Sequence, residues 1–227
     1  MNIFKYIFPA GKRGPVRLID KSKLKPGLIM SVRSYGMFGR GIRYAEGKWQ
    51  RRISKFKLIP YKAPWGSHNA LVLANDVVGE ALIKEGNIVT LVDNYNKMIK
   101  DGKVEVRFYE VINVITEQEN QATNIWIKKV QGKKYDYQAF PRLILKSLVY
   151  NWQDSHNRIL RYIGSVGAGS KHRFWCTQAV EIAYKHMDIF CGDKNPTPMH
   201  VEIRAGELPE MRVKRITLKN ISKDVLC

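Results

Sequence analysis

An α+β domain, with a small antiparallel sheet packed against helices, follows from three features of the sequence. β-prone runs succeed one another between residues 27 and 114, and apolar residues recur at helical spacing after residue 122. The 227 residues, 44% of them hydrophobic, are enough to bury one sizeable core. An aromatic share of 11% and the lack of long Gly/Ser, Pro-rich or single-residue tracts argue against extended disorder. No internal repeat is visible. The expected organisation is a basic N-terminal segment over residues 1–22, then one domain over 23–227 carrying a basic insertion at about 34–64.

The elements follow in order. Leu24-Lys-Pro-Gly27 reads as a turn feeding a short strand over 27–33. Residues 34–64 hold Gly36, Gly39, Gly41 and Gly47 among many cations, and read as a mobile insertion with at most one short element near Ile53 to Ile59. Ser67–Ala74 and Val77–Ile83 flank Asn75-Asp76, an Asx-type turn signal, and predict a hairpin. Residues 87–92 and 104–114 supply further strands, the latter alternating Val104, Val106 and Phe108 against Glu105, Arg107 and Tyr109, so about five strands are expected. Helical spacing then marks 122–131, 140–152 and about 175–187, the last with Cys176, Ala179, Val180, Ala183 and Met187 on one face. Residues 211–218 offer a final edge strand.

Thirty-nine Lys and Arg against 20 acidic residues give a formal charge of +19, which favours anionic partners: nucleic acid, acidic lipid or an anionic polymer. The cations are dispersed along the chain rather than gathered in one groove. Trp49 with Arg51, Arg52, Lys55, Phe56 and Lys57 interleaves aromatics with cations, as a nucleic-acid surface or a solvated basic loop would.

Three cysteines with no Cys-x-x-Cys pair exclude a disulfide framework and a cysteine zinc site, and point to a reducing compartment. His156, His172, His186 and His200 match no zinc spacing, so no metal is expected. Glycine-rich stretches at 36–41 and 164–169 lack the phosphate-loop ending and the dinucleotide fingerprint, so no cofactor is expected either. No apolar run reaches the ~20 residues of a membrane span, and the apolar start breaks at Pro9, too short for a secretory signal. The expected location is cytoplasmic or virion-associated.

One set of residues carries chemistry. A cysteine in the first turn of a helix has its thiolate favoured by unpaired N–H groups and the helix dipole, and Cys176 falls there, after Lys171, His172, Arg173 and a glycine-rich loop. Residue type and apolar spacing alone favour a plain buried core cysteine. His68 opens the hairpin and Glu80 lies on its return strand. A three-residue loop at 74–76 pairs position 70 with 80, which puts Glu80 diagonal to His68 on one face, within reach to orient an imidazole.

The blocks Leu24-Lys-Pro-Gly27, Trp65-Gly-Ser-His-Asn-Ala-Leu-Val72, Gly79-Glu-Ala81, Gly132-Lys-Lys-Tyr-Asp-Tyr-Gln-Ala-Phe140 and Trp175-Cys-Thr-Gln-Ala-Val-Glu-Ile-Ala-Tyr184 stand in that order. Together they resemble the circularly permuted NlpC-type papain-like cysteine hydrolases, the branch of the YiiX-like proteins and lecithin retinol acyltransferase. The resemblance covers most of residues 24–198. It implies a papain-like fold in which the histidine strand precedes the cysteine helix. Cys176 would be the nucleophile, His68 the base and Glu80 the orienting carboxylate. It further implies Tyr135 as a hydroxyl beside the nucleophile; Tyr135-Asp136 also reads as a helix start capped by Asp136. The implied substrates are peptides, amides or acyl esters, hydrolysed or transferred through a thioester. Leu28 and Thr177-Gln178 depart from the family pattern, which has Asp and Ser-Glu there. The alternative is a basic structural or nucleic-acid-associated protein, such as a virion component, that keeps the fold with or without activity.

Overall fold

The Asn75-Asp76 turn folds β2 (His68–Ala74) back on β3 (Val77–Leu82), and this hairpin organises the rest of the sheet. The structure is a computed structural model that describes residues 13–58, 60–136, 173–191, 196–209 and 215–227. β1 (Ile29–Ser34) pairs with β2, and β4 (Gly86–Leu91) with β3. β5 (Val104–Val111) lies on the other side of β1, and β8 (Leu218–Asn220) closes the edge, giving the antiparallel order β4-β3-β2-β1-β5-β8. The hairpin register is the predicted one: Ala70 faces Glu80 and Val72 faces Val78, with an irregularity next to the turn. The final strand, expected over 211–218, is Leu218–Asn220, and residues 211–214 lie outside the described residues.

Because side chains alternate, this register sorts the core into two layers. Met30, Val32, Ala70, Val72, Val78, Val106 and Phe108 face one side, where α2 (Val92–Lys100) packs Tyr95 and Ile99 on them. Ile29, Leu71, Tyr109 and Val111 face the other, covered by α3 (Thr116–Lys129) and α4 (Cys176–Ala183) through Ala122, Trp126, Ala179, Val180 and Ala183. Gly79 leaves room for the Trp126 indole: a Cβ there would stand 2.8 Å from ring carbons. β6 (Lys134–Tyr135) and β7 (Arg173–Phe174) form a separate two-residue parallel pair.

Two expectations change. Residues 34–64 hold more than one short element near Ile53 to Ile59: α1 (Met37–Lys57) is a 21-residue helix. Glycine costs about 1 kcal/mol against alanine inside a helix, but Gly39 lets α1 approach β1, a Cβ there standing 2.7 Å from that of Ser34. The buried face of α1 includes Glu46, Gln50 and Ser54 beside Ile42 and Ala45, so its periodicity does not read as apolar. The basic N-terminal segment is not wholly irregular either: Ile19 is buried and bridges Leu226, with Leu18 N–H donating to the Cys227 carbonyl at 2.8 Å. The helix expected over 140–152 and the glycine-rich loop at 164–171 lie outside the described residues. No helix among the described residues is long and apolar enough to cross a membrane.

Candidate active site

Cys176 is the first residue of α4, after Trp175 in extended conformation. The helix holds its place because Ala179, Val180 and Ala183 bury against Leu71 and Ile29, and because the Trp175 indole N–H donates to the Pro196 carbonyl at 2.8 Å. The thiol is buried with Ala81, Tyr135 and Trp175. A helix start leaves its first N–H groups without intrahelical partners, so the local field favours a thiolate. No side chain caps this one.

His68 stands at the first position of β2, where Glu80 is its diagonal neighbour. Its Nε2 lies 2.9 Å from Glu80 Oε2, and the imidazole stands close enough to the Cys176 thiol for each to shift the ionisation of the other. Glu80 is almost fully buried. The same Oε2 accepts the Tyr95 hydroxyl at 2.5 Å, and the Thr90 hydroxyl adds a further bond. Imidazole and carboxylate are therefore hydrogen-bonded beside the thiol, the three groups coming from β2, β3 and α4, with α2 supporting the carboxylate through Tyr95.

The protonation states follow from these contacts. Burial pushes the Cys176 thiol up, but the charge and hydrogen bond of His68, the Asn69 backbone N–H and the Thr177 hydroxyl together bring it below its ordinary value. Burial alone would lower His68, yet the Cys176 thiolate and the Glu80 carboxylate raise it to about 10. Burial likewise opposes ionisation of Glu80, and the bonds from His68, Thr90 and Tyr95 overcome it, so Glu80 lies below the usual carboxylate range. The arrangement favours a thiolate–imidazolium pair.

Tyr135 packs in the Cys176 cluster, and its phenol is pushed up by burial and by the charges of Cys176 and Asp136. It occupies β6, paired with Phe174; a helix starting after Asp136 would lie outside the described residues. Trp49 does not offer a stacking surface: it packs against Met199, Ile203 and Leu208 and meets the His200 ring edge-on. His200 accepts the Thr197 N–H at Nδ1 over 2.9 Å, and Cys191 is half-buried near the Arg215 carbonyl. Among the described residues no group of three or more His, Cys, Asp or Glu is placed to hold a metal.

Four residues of this neighbourhood were not singled out from the sequence. Tyr95 could have been found from the Val92, Tyr95, Ile99 spacing, had that nine-residue stretch been recognised as a helix. Asn69 is fully buried next to His68 but on the opposite face, where its Nδ2 donates to Thr177 Oγ1 at 3.0 Å. Glu46, on α1, accepts the Met199 N–H at 3.1 Å and feels the Cys176 charge. Burial foremost, with Glu202 and Cys176 adding, pushes it up to about 8. Glu202 lies on α5 (Pro198–Arg204), and its carboxylate accepts the backbone N–H groups of Trp65 and Gly66. No local sequence signal marks either glutamate, since both act across the fold.

These features define a buried Cys–His–Glu constellation on an α+β scaffold. No protein-family model matches the chain, and a search of curated proteins finds no match.

Proposed function

We propose that this chain is a cysteine hydrolase of the papain-like type in permuted order, acting on a peptide, amide or acyl ester. The observation that carries this reading is the buried His68–Glu80 pair, 2.9 Å apart, with the Cys176 thiol beside the imidazole at a helix start. The Cys176 thiolate attacks the substrate carbonyl carbon, and the carbonyl π electrons move to oxygen. Collapse of that intermediate breaks the bond to the leaving group, which takes the proton from the His68 imidazolium and leaves a thioester. His68, now neutral, removes a proton from water as it attacks the thioester, and the thiolate departs. Glu80 keeps the imidazole oriented and supports its positive charge throughout. The Tyr135 hydroxyl is the side-chain candidate for the developing oxyanion. Replacing water with another nucleophile gives acyl transfer by the same residues.

The test is alkylation of the folded protein at neutral pH. Cys176 should react faster than Cys191 and the exposed Cys227 despite its burial, and His68→Ala should remove the advantage. Equal labelling of the three cysteines would count against the reading.

A second reading, anionic-polymer or nucleic-acid binding, is favoured by α1. The only acidic residue in its 21 positions is the buried Glu46, while Arg51 and Lys55 are exposed and Lys48 lies half-exposed over Tyr44. Reversing the charge of Lys48, Arg51 and Lys55 should weaken binding to nucleic acid and flatten its salt dependence, with Cys176→Ala leaving both unchanged. Binding unaffected by the reversal would exclude α1 as the contact.

A further inference from the structure

Glu202 is 1% exposed and makes no ion pair among the described residues. Its carboxylate instead receives two consecutive backbone N–H groups: Trp65 N–H reaches Oε1 and Oε2 at 2.9 and 3.0 Å, and Gly66 N–H reaches Oε1 at 2.9 Å. Two successive amides converging on one anion make a nest, which a carboxylate fills and a neutral side chain fills poorly. The chain then passes directly into the site. Ser67 N–H joins the Val32 carbonyl at 2.8 Å, Ser67 Oγ accepts the Ser34 N–H at 3.0 Å, and the next residue is His68. Gly66 has no space for a side chain, because a Cβ would run into Ser31 Oγ. Trp65 is held from its other side by the Arg107 guanidinium, 4.2 Å from the ring centroid and itself paired with Glu207 at 3.1 Å. The segment before His68 is thus pinned between Glu202 and β1.

We propose that Glu202 is a positioning residue, whose clamp on the Trp65 and Gly66 amides sets where the His68 strand begins and so how the imidazole meets Cys176. The inference rests on the cysteine-hydrolase reading for its catalytic meaning, but not for its geometry. The groups around the carboxylate are Glu46 from α1, Arg107 and Tyr109 from β5, and Glu207 beyond α5. Burial foremost, with Glu207 adding and the two amides and Arg107 opposing, pushes Glu202 up to about 7. Protonation turns one acceptor oxygen into a donor facing an N–H, so the clamp tightens as pH rises through neutrality and loosens below it.

The experiment follows Cys176 alkylation by iodoacetamide in the full chain between about pH 5.5 and 8.5, with Cys227 as internal reference. The His68 ring-proton titration is read separately by NMR, with the pH carried above its value of about 10, and needs no activity. Wild type should show an added rise in Cys176 rate near neutrality. Glu202→Gln keeps the volume but puts an amide N–H₂ against the backbone donors. It should lose that rise, react about tenfold or more slowly, as misplacement of order 1 Å can cost up to about 10²-fold, and move the His68 titration downward. Glu202→Gln with a wild-type rate profile and an unmoved His68 titration overturns the clamp. Should that variant fail to fold, Glu202→Asp decides by the same two readouts, a wild-type result again overturning it. A wild-type Cys176 no more reactive than Cys227 strikes the hydrolase reading instead, while the His68 titration still decides the clamp.

Discussion

Glu80→Gln removes the negative charge behind His68 while keeping its size and one acceptor oxygen. In the wild type, Glu80 Oε2 lies 2.9 Å from His68 Nε2, is nearly inaccessible to water and is further held by Tyr95. A hydrogen bond to a charged partner contributes about 2–3 kcal/mol in such surroundings. Its loss falls on the imidazolium form, because neutral imidazole bonds glutamine almost as well. At about 1.4 kcal/mol per decade, that is roughly 30- to 150-fold in the ratio of thiolate–imidazolium to neutral pair. The assay is the second-order rate of iodoacetamide with Cys176 against pH, with circular dichroism confirming the fold. Glu80→Gln should slow the reaction at mildly acidic pH by at least about tenfold and move the rise in reactivity to higher pH. A folded Glu80→Gln protein with an unmoved acid limb would refute the idea that Glu80 supports the charge on His68.

The same ion pair shapes stability against pH. His68, raised from 6.5 to about 10, contributes stability that is complete below 6.5 and is lost as pH rises through about 10, whereas Cys176, lowered from 9.0, contributes stability that is complete above 9.0 and is lost as pH falls. The pair's contribution is therefore lost at both extremes, as the Cys176 thiolate takes up a proton in acid and as the His68 imidazolium loses one toward about 10. Urea unfolding of wild type and Cys176→Ala at several pH values should show their difference largest between those extremes, and a pH-independent difference would contradict the pairing. Tyr95→Phe removes one donor to Glu80 and should slow Cys176 alkylation by less than Glu80→Gln does, through the same acid limb. Gly79→Ala relieves a strand of glycine's entropy cost but drives a Cβ to 2.8 Å from the Trp126 ring, so it should destabilise by about 1–3 kcal/mol and lower the urea midpoint. An unchanged or higher midpoint would mean that the indole can shift.

The hairpin and its consequence were legible because they depend on local rules. Alternation sets faces and Asn75-Asp76 sets the turn, although the loop is two residues long, with Ala74 facing Val77, rather than the expected three, and an irregularity between Val72 and Ala74 brings Ala70 opposite Glu80. From these alone, His68 and Glu80 share a face. The helix start at Cys176 was equally local, as the apolar stripe through Ala179, Val180 and Ala183 begins there. α1 was not legible, since counting glycines and cations weighs propensity only, whereas its formation depends on packing polar Glu46 and Gln50 inward against α5 and its flanks.

By itself, then, the sequence determined the alternating strands, the hairpin register and the helix carrying the thiol, because each is governed by contacts within about a dozen residues. Only the tertiary structure decided that Cys176 meets His68 across 108 positions of chain, that Tyr95 braces Glu80, and that Glu202 reaches back 136 residues to Gly66. Those pairings depend on which layer each helix covers and how closely it lies. That is decided by burying the two faces of one sheet at once, which no local pattern records.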